Sequence, residues 1–163
     1  MRMRRLAITT TLVAGMLLGS TPAFADITAF LGLAGGPSVR TTKGLAAGAG
    51  LIIVAFEFEY SDTSEDITEG APHARIGMFN GLLQTPVAVK GVQIYGTVGV
   101  GIYNHELLSN SETNVGINVG GGVKVKLVGP LRVRVDYRVF RLAGSPIGGD
   151  TVHRVYVGAN IKF

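Results

Sequence analysis

The 163-residue sequence contains no cysteine and no tryptophan, and few of its residues are proline. Without cysteine, no disulfide framework can hold it together. It has no run of about twenty apolar residues, so no helix could span a bilayer. Apart from its first 25 residues it has no apolar stripe at helical spacing. It contains no Gly-x-Gly-x-x-Gly fingerprint and no P-loop, so its many glycines carry no nucleotide signal. Fifteen Lys plus Arg face eleven Asp plus Glu, but three of the arginines, Arg2, Arg4 and Arg5, fall in the first five residues. Beyond them the balance is close to neutral, and the basic pI gives no reason to expect a nucleic-acid partner.

Those arginines head an apolar stretch from Leu6 to Gly19, which ends at the small-x-small site Ala23-Phe24-Ala25. A basic head, a short apolar segment and a small-residue site read as a secretory signal peptide covering residues 1–25, cut before Asp26. The remainder, 26–163, is long enough for one domain.

Within that remainder, alternation of apolar and polar residues recurs at period two, the mark of strands with two different faces. Eight segments are expected: Asp26–Ala34, Gly44–Leu51, Val54–Ser61, Ala74–Thr85, Val92–Asn104, Asn114–Lys126, Leu131–Leu142 and Val152–Phe163. Most have about the nine to eleven residues that a tilted strand needs to cross a bilayer. The connections are expected to alternate. Gly35–Lys43, Asp62–His73, His105–Thr113 and Ala143–Thr151 read as long polar loops, whereas Ile52–Ile53, Pro86–Gly91 and Leu127–Pro130 read as short turns. Long loops at one end and short turns at the other are how outer-membrane barrels are built.

Two architectures share this pattern. A soluble, lipocalin-like barrel places its aliphatic residues inside and its charges in water. A membrane barrel places them outside, with every backbone polar group paired and no open edge. The signal peptide and the loop pattern favour an all-β, eight-stranded, antiparallel, up-and-down transmembrane β-barrel. Its lumen would be only just wide enough for side chains to fill. Glycines 99, 101, 116, 120 and 122 would make room there for Tyr95, Tyr103 and Tyr156. The third and seventh segments lie opposite each other in an eight-membered ring. Glu57 and Glu59 should therefore meet Arg132, Arg134 and Arg138, with Asp136 among them, because a buried unpaired charge costs several kcal/mol. Such an ion-pair network could plug the barrel or line a narrow ion path.

The closing residues from Arg154 to Phe163 put Val155, Val157, Ala159, Ile161 and Phe163 on one face and Tyr156, Gly158 and Asn160 on the other. Tyr156, Gly158, Ile161 and Phe163 resemble the terminal signal read by the barrel-assembly machinery of bacterial outer membranes. Together with Gly120-Gly121-Gly122-Val123-Lys124, Gly129-Pro130 and Arg134-Val135-Asp136-Tyr137-Arg138, they make the chain similar to the small OmpA-like or opacity-type outer-membrane barrel proteins. The resemblance implies a location in the bacterial outer membrane and contact with its lipid and lipopolysaccharide. It implies no cofactor and a role in envelope structure, adhesion or surface contact. The chain would depart from the larger members by ending at its barrel, without a wall-binding domain.

Enzyme motifs are weak. His105-Glu106-Leu107-Leu108-Ser109 starts like a zinc-protease helix but has serine where the second ligand must stand. His105, Ser109, Ser111 and Glu112 contain the residue types of a lipid A deacylase without that family's spacing. The acidic loop around Asp62, Glu65, Asp66 and Glu69 reads as a solvated surface. Arg40, Lys43 and Arg141 fall near the outer rim, where they could meet lipid phosphates or simply extend into water. Phe56, Phe58, Tyr60, Tyr137 and Phe163 fall on the lipid face by parity, a belt thinned by the lack of tryptophan.

Overall fold

The computed structural model describes residues 23–36, 38–65, 73–86, 90–107, 110–142 and 151–163. Nearly all of the expected signal peptide lies outside them. Eight strands follow in order: β1 (Phe24–Gly35), β2 (Val39–Gly50), β3 (Val54–Thr63), β4 (His73–Gln84), β5 (Val92–Leu107), β6 (Asn110–Lys126), β7 (Leu131–Leu142) and β8 (Thr151–Lys162). Each pairs antiparallel with the next, and β8 returns to β1 to close the ring. The closing ladder runs from Asp26 opposite Lys162 to Gly35 opposite His153, so no strand edge is left open along it. None of the described residues is helical.

The period-two pattern decides which way each side chain points. In β3, exposed Val54, Phe56, Phe58 and Tyr60 alternate with buried Ala55, Glu57, Glu59 and Ser61. Apolar residues therefore face out and charged ones in, the reverse of a soluble barrel. The outer wall carries Leu31 at 65 % exposure, Leu83 at 66 % and Val98 at 63 %. A continuous apolar surface of this kind is costly in water and suits hydrocarbon. The lipocalin-like alternative is excluded by this inversion.

β7 spans the expected residues, but the loop pattern differs from expectation. β2 begins at Val39 and pairs with β1 from Gly35 opposite Val39 onward, which reduces the first long loop to residues 36–38. β5 and β6 continue until Leu107 faces Asn110, so the third long loop shrinks to 108–109. Only 64–72 and 143–150 remain long at that end, against 51–53, 85–91 and 127–130 at the other. The physical reason is that a hairpin can extend past the membrane on backbone pairing alone. Its residues there need no apolar alternation, and the polar stretches Val39–Lys43 and His105–Thr113 give none.

The start of β1, the end of β8 and the 51–53, 85–91 and 127–130 connections share one end of the barrel, here the terminal end. The opposite end, here the far end, holds the 36–38, 64–72, 108–109 and 143–150 connections.

Candidate functional site

The inward face of β7 presents Arg134, Asp136 and Arg138 in succession, because residues two apart share a face. β3, four strands away around the ring, presents Glu57 and Glu59 toward them. Arg134 grips Glu57 with both terminal nitrogens, Nη2 standing 3.2 Å from Oε1, and bonds Asp136 through Nη2 at 3.0 Å. Arg138 reaches Glu57 through Nη2 at 2.9 Å and Asp136 through Nε at 2.9 Å. Its Nη1 stands 3.0 Å from Glu59 Oε2 without hydrogen-bond alignment, so that contact is ionic.

Four further strands supply groups that the sequence pattern did not assign to this network. Arg154, on β8, binds Glu59 through Nη2 and donates to Ser61 Oγ at 2.9 Å through Nη1. Tyr95, on β5, donates its hydroxyl proton to Asp136 and accepts a bond from Arg134 Nε at 2.6 Å. Lys124, on β6, pairs with Asp26 of β1 at 2.5 Å. Each of these residues has inward parity in the sequence, so the direction was readable. Their height along the barrel was not, because it depends on strand stagger.

Arg132, expected among the luminal ion pairs, stands apart. Its Nη1 donates to Gln93 at 2.9 Å, near the terminal end, and no carboxylate among the described residues pairs with it. The expected partnership fails there because one step down β7 carries the side chain below the level of Glu57 and Glu59.

Among the described residues, eight buried charged side chains thus occupy the lumen. Asp26, Glu57, Glu59 and Asp136 balance Lys124, Arg134, Arg138 and Arg154, so the described charges sum to neutrality. Ring faces cover the guanidinium groups, with Arg134 lying 4.8 Å from the centre of Tyr95 and Arg154 4.5 Å from that of Phe140. Apolar clusters flank the charged belt. Ile76, Met78, Tyr103, Phe140 and Leu142 form one toward the far end, and Ala55, Leu82 and Tyr95 form the other toward the terminal end, with Phe24 against it.

The inward glycines serve neighbours of several kinds. A Cβ on Gly122 would stand 2.5 Å from the Tyr95 hydroxyl, so this glycine does make room for a tyrosine. At Gly99 and Gly101 the space goes instead to Asn80 and Asn118 and to Met78.

Of the terminal residues, Tyr156 and Gly158 face inward and are buried, while Ile161 and Phe163 are exposed on the outer wall. Tyr156 stacks on Phe30 with ring centroids 4.2 Å apart, and Gly158 lies against the Phe30 Cβ. Phe56, Phe58, Tyr60 and Tyr137 are likewise exposed outward, Phe56 stacking on Phe79. At the far end Asp62 pairs with His73 at 3.0 Å and lies 3.9 Å from Arg75, while Glu65 is exposed. Asp66, Glu69 and Ser109 lie outside the described residues. The β5–β6 ladder sets His105 opposite Glu112 and Glu106 opposite Ser111. Among the described residues no three His, Asp or Glu side chains gather as metal ligands.

A closed eight-stranded ring, apolar outside and charged inside, defines a transmembrane β-barrel of the outer-membrane type. The fold is shared with the N-terminal β-barrel domain of OprF from Pseudomonas aeruginosa, at a TM-score of 0.64 and 15% identity over 85% of this chain and 97% of that one. A major outer membrane protein of Thermus thermophilus matches at a TM-score of 0.63 and 13% identity, covering 86% of this chain and 99% of that one. The outer membrane enzyme PagL matches at 0.56 and 15% identity, covering 83% and 98% respectively. No protein-family model and no curated protein matches the sequence. At such identities the likeness is one of fold.

Proposed function

We propose that this chain is a non-enzymatic protein of the bacterial outer membrane, with a structural or surface-contact role and a lumen plugged against ions. The carrying observation is the neutral set of four buried acids and four buried bases that fills the lumen, with apolar side chains packed against it. A permeant ion would have to break pairs that are fully desolvated, and that step is costly. In this reading residues 1–25 direct export and are removed, and the assembly machinery reads Tyr156, Gly158, Ile161 and Phe163. The outer wall meets membrane lipid, with Lys43 and Arg141 exposed toward lipopolysaccharide phosphates. The likeness to PagL is a likeness of barrels and carries no chemistry to His105, Ser109, Ser111 or Glu112.

A second reading, a narrow ion path, is favoured by the length of the polar column. It runs from Asp26 and Lys124 through Glu57 and Arg134 to Arg154 and Ser61. Planar bilayers decide between them. The folded chain is expected to leave the membrane silent, and stepwise conductance that changes in Glu57→Gln would replace the plug with the path.

A further inference from the structure

The terminal end of the barrel is one-sided in charge. Lys90, Lys124, Lys126, Arg132 and Lys162 gather there on the arc from the β4–β5 connection to β8. Among the described residues the only carboxylate that pairs with any of them is Asp26, which Lys124 holds at 2.5 Å. Asp26 also stands opposite Lys162 on the β1–β8 ladder, but Lys162 lies over the Phe24 ring, 3.9 Å from its centre. Arg132 bonds only the neutral Gln93, and neither Lys126 nor Lys90 pairs with a carboxylate among the described residues.

Two features mark the arc as more than solvated charge. Lys126 and Arg132 are direct cross-strand partners on the inward face, and like charges so placed repel. The same arrangement one step higher, Lys124 opposite Arg134, is relieved by Asp26 on one side and by Glu57 and Asp136 on the other. At Lys126 and Arg132 no described acid relieves it. Lys90 is the only described non-glycine residue with positive φ, at 53°, followed by Gly91 at 84°. That left-handed conformation favours glycine or asparagine, yet a cation stands there.

The arc is also fixed in shape. The Lys126 amide donates to the Gly91 carbonyl at 2.8 Å, and the Lys162 amide to the Pro130 carbonyl at 3.0 Å. These bonds tie the 85–91 connection to β6 and the 127–130 connection to β8.

Outer-membrane barrels keep their short turns on the periplasmic side, which places the terminal end there, and we infer that this arc is a docking surface for an extended acidic peptide segment of a periplasmic partner. Arg132 and Lys162 have inward parity and point to the mouth rather than the lipid wall, which favours a ligand arriving from water over a headgroup in the leaflet. Three strand spacings of about 4.8 Å make an arc of roughly 14 Å, the reach of about four or five extended residues. A single small anion would leave most of it unmatched. The inference takes only its compartment from the proposed function, since neither the plug nor the path enters it.

The test uses the full chain folded in zwitterionic detergent, with fluorescein-labelled hexaglutamate as the probe and anisotropy as the readout. Binding is expected to weaken roughly tenfold when Lys126→Gln and Arg132→Gln are combined, and to fade as salt screens the charges. Arg141→Gln, at the far end, should change it less than about twofold. A heat-dependent gel shift verifies that every variant is folded, and Lys162→Gln provides an independent variant if the double one is not. No binding by the parent chain, or equal loss at both ends, overturns the inference. So does displacement of the peptide by phosphatidylglycerol nanodiscs with no change from phosphatidylcholine ones, which would reassign the cations to lipid. A chain that conducts ions yet binds the peptide would overturn the plug and leave the docking arc standing.

Discussion

Arg134 and Arg132 stand two residues apart on the same face of β7, yet their surroundings differ in kind. Arg134 is fully buried and committed to Glu57, Asp136 and Tyr95, whereas Arg132 is half-buried at the mouth with one neutral partner. Removing one member of a buried pair strands the other as an uncompensated charge, a loss of about 3–5 kcal/mol. Arg134→Leu is therefore expected to destabilise the folded barrel by about that much, and Arg132→Leu by less than about 1 kcal/mol. Urea unfolding in phosphatidylcholine vesicles, followed by gel shift because the chain has no tryptophan, measures both. Equal losses would mean that the carboxylates are shared along β7 more evenly than their distances imply. From sequence these two arginines look alike, since parity gives the face and nothing local gives the level. For the same reason Arg154 and Lys124 stayed outside the expected network, although each lies on the polar side of its own segment.

Strands were the most legible element, for a physical reason. The bilayer imposes one rule on every residue of the outer wall, so alternation persists wherever the chain is in contact with it. In β8, Val157 faces outward near the middle of the strand, beside Leu31 and Val135, while Thr151 faces outward at its far end. An arginine at the midplane of a barrel's lipid face costs about 2–4 kcal/mol, falling to about 0–1 kcal/mol near the interface. Val157→Arg should lose the larger amount and Thr151→Arg the smaller, read by unfolding in the same vesicles. Similar costs at both positions would place the hydrocarbon elsewhere on the wall. The sequence was least legible where this rule lapses. The extensions of β2, β5 and β6 beyond the expected residues rest on backbone pairing, which leaves no trace in side-chain polarity.

For the whole molecule, closure is the property from which the others follow. Eight ladders join the strands in a ring, and the last of them ties β1 to β8 over ten residue pairs, so no strand can leave without breaking two ladders at once. The lumen adds resistance from within, because Arg138 and Arg134 on β7 and Arg154 on β8 hold Glu57 and Glu59 of β3 across the ring. Opening the wall therefore exposes buried charges and unpaired amides together, and it should be cooperative and slow. In SDS at room temperature the barrel is expected to remain folded and migrate faster than the boiled chain, with the shifting species in the outer-membrane fraction. The outward apolar wall requires the same chain to need detergent for extraction. A protein that purified from the aqueous fraction and ran identically before and after boiling would contradict the assignment of the outer wall to lipid. It would leave the exposed positions of Leu31, Leu83 and Val98 without a physical cause.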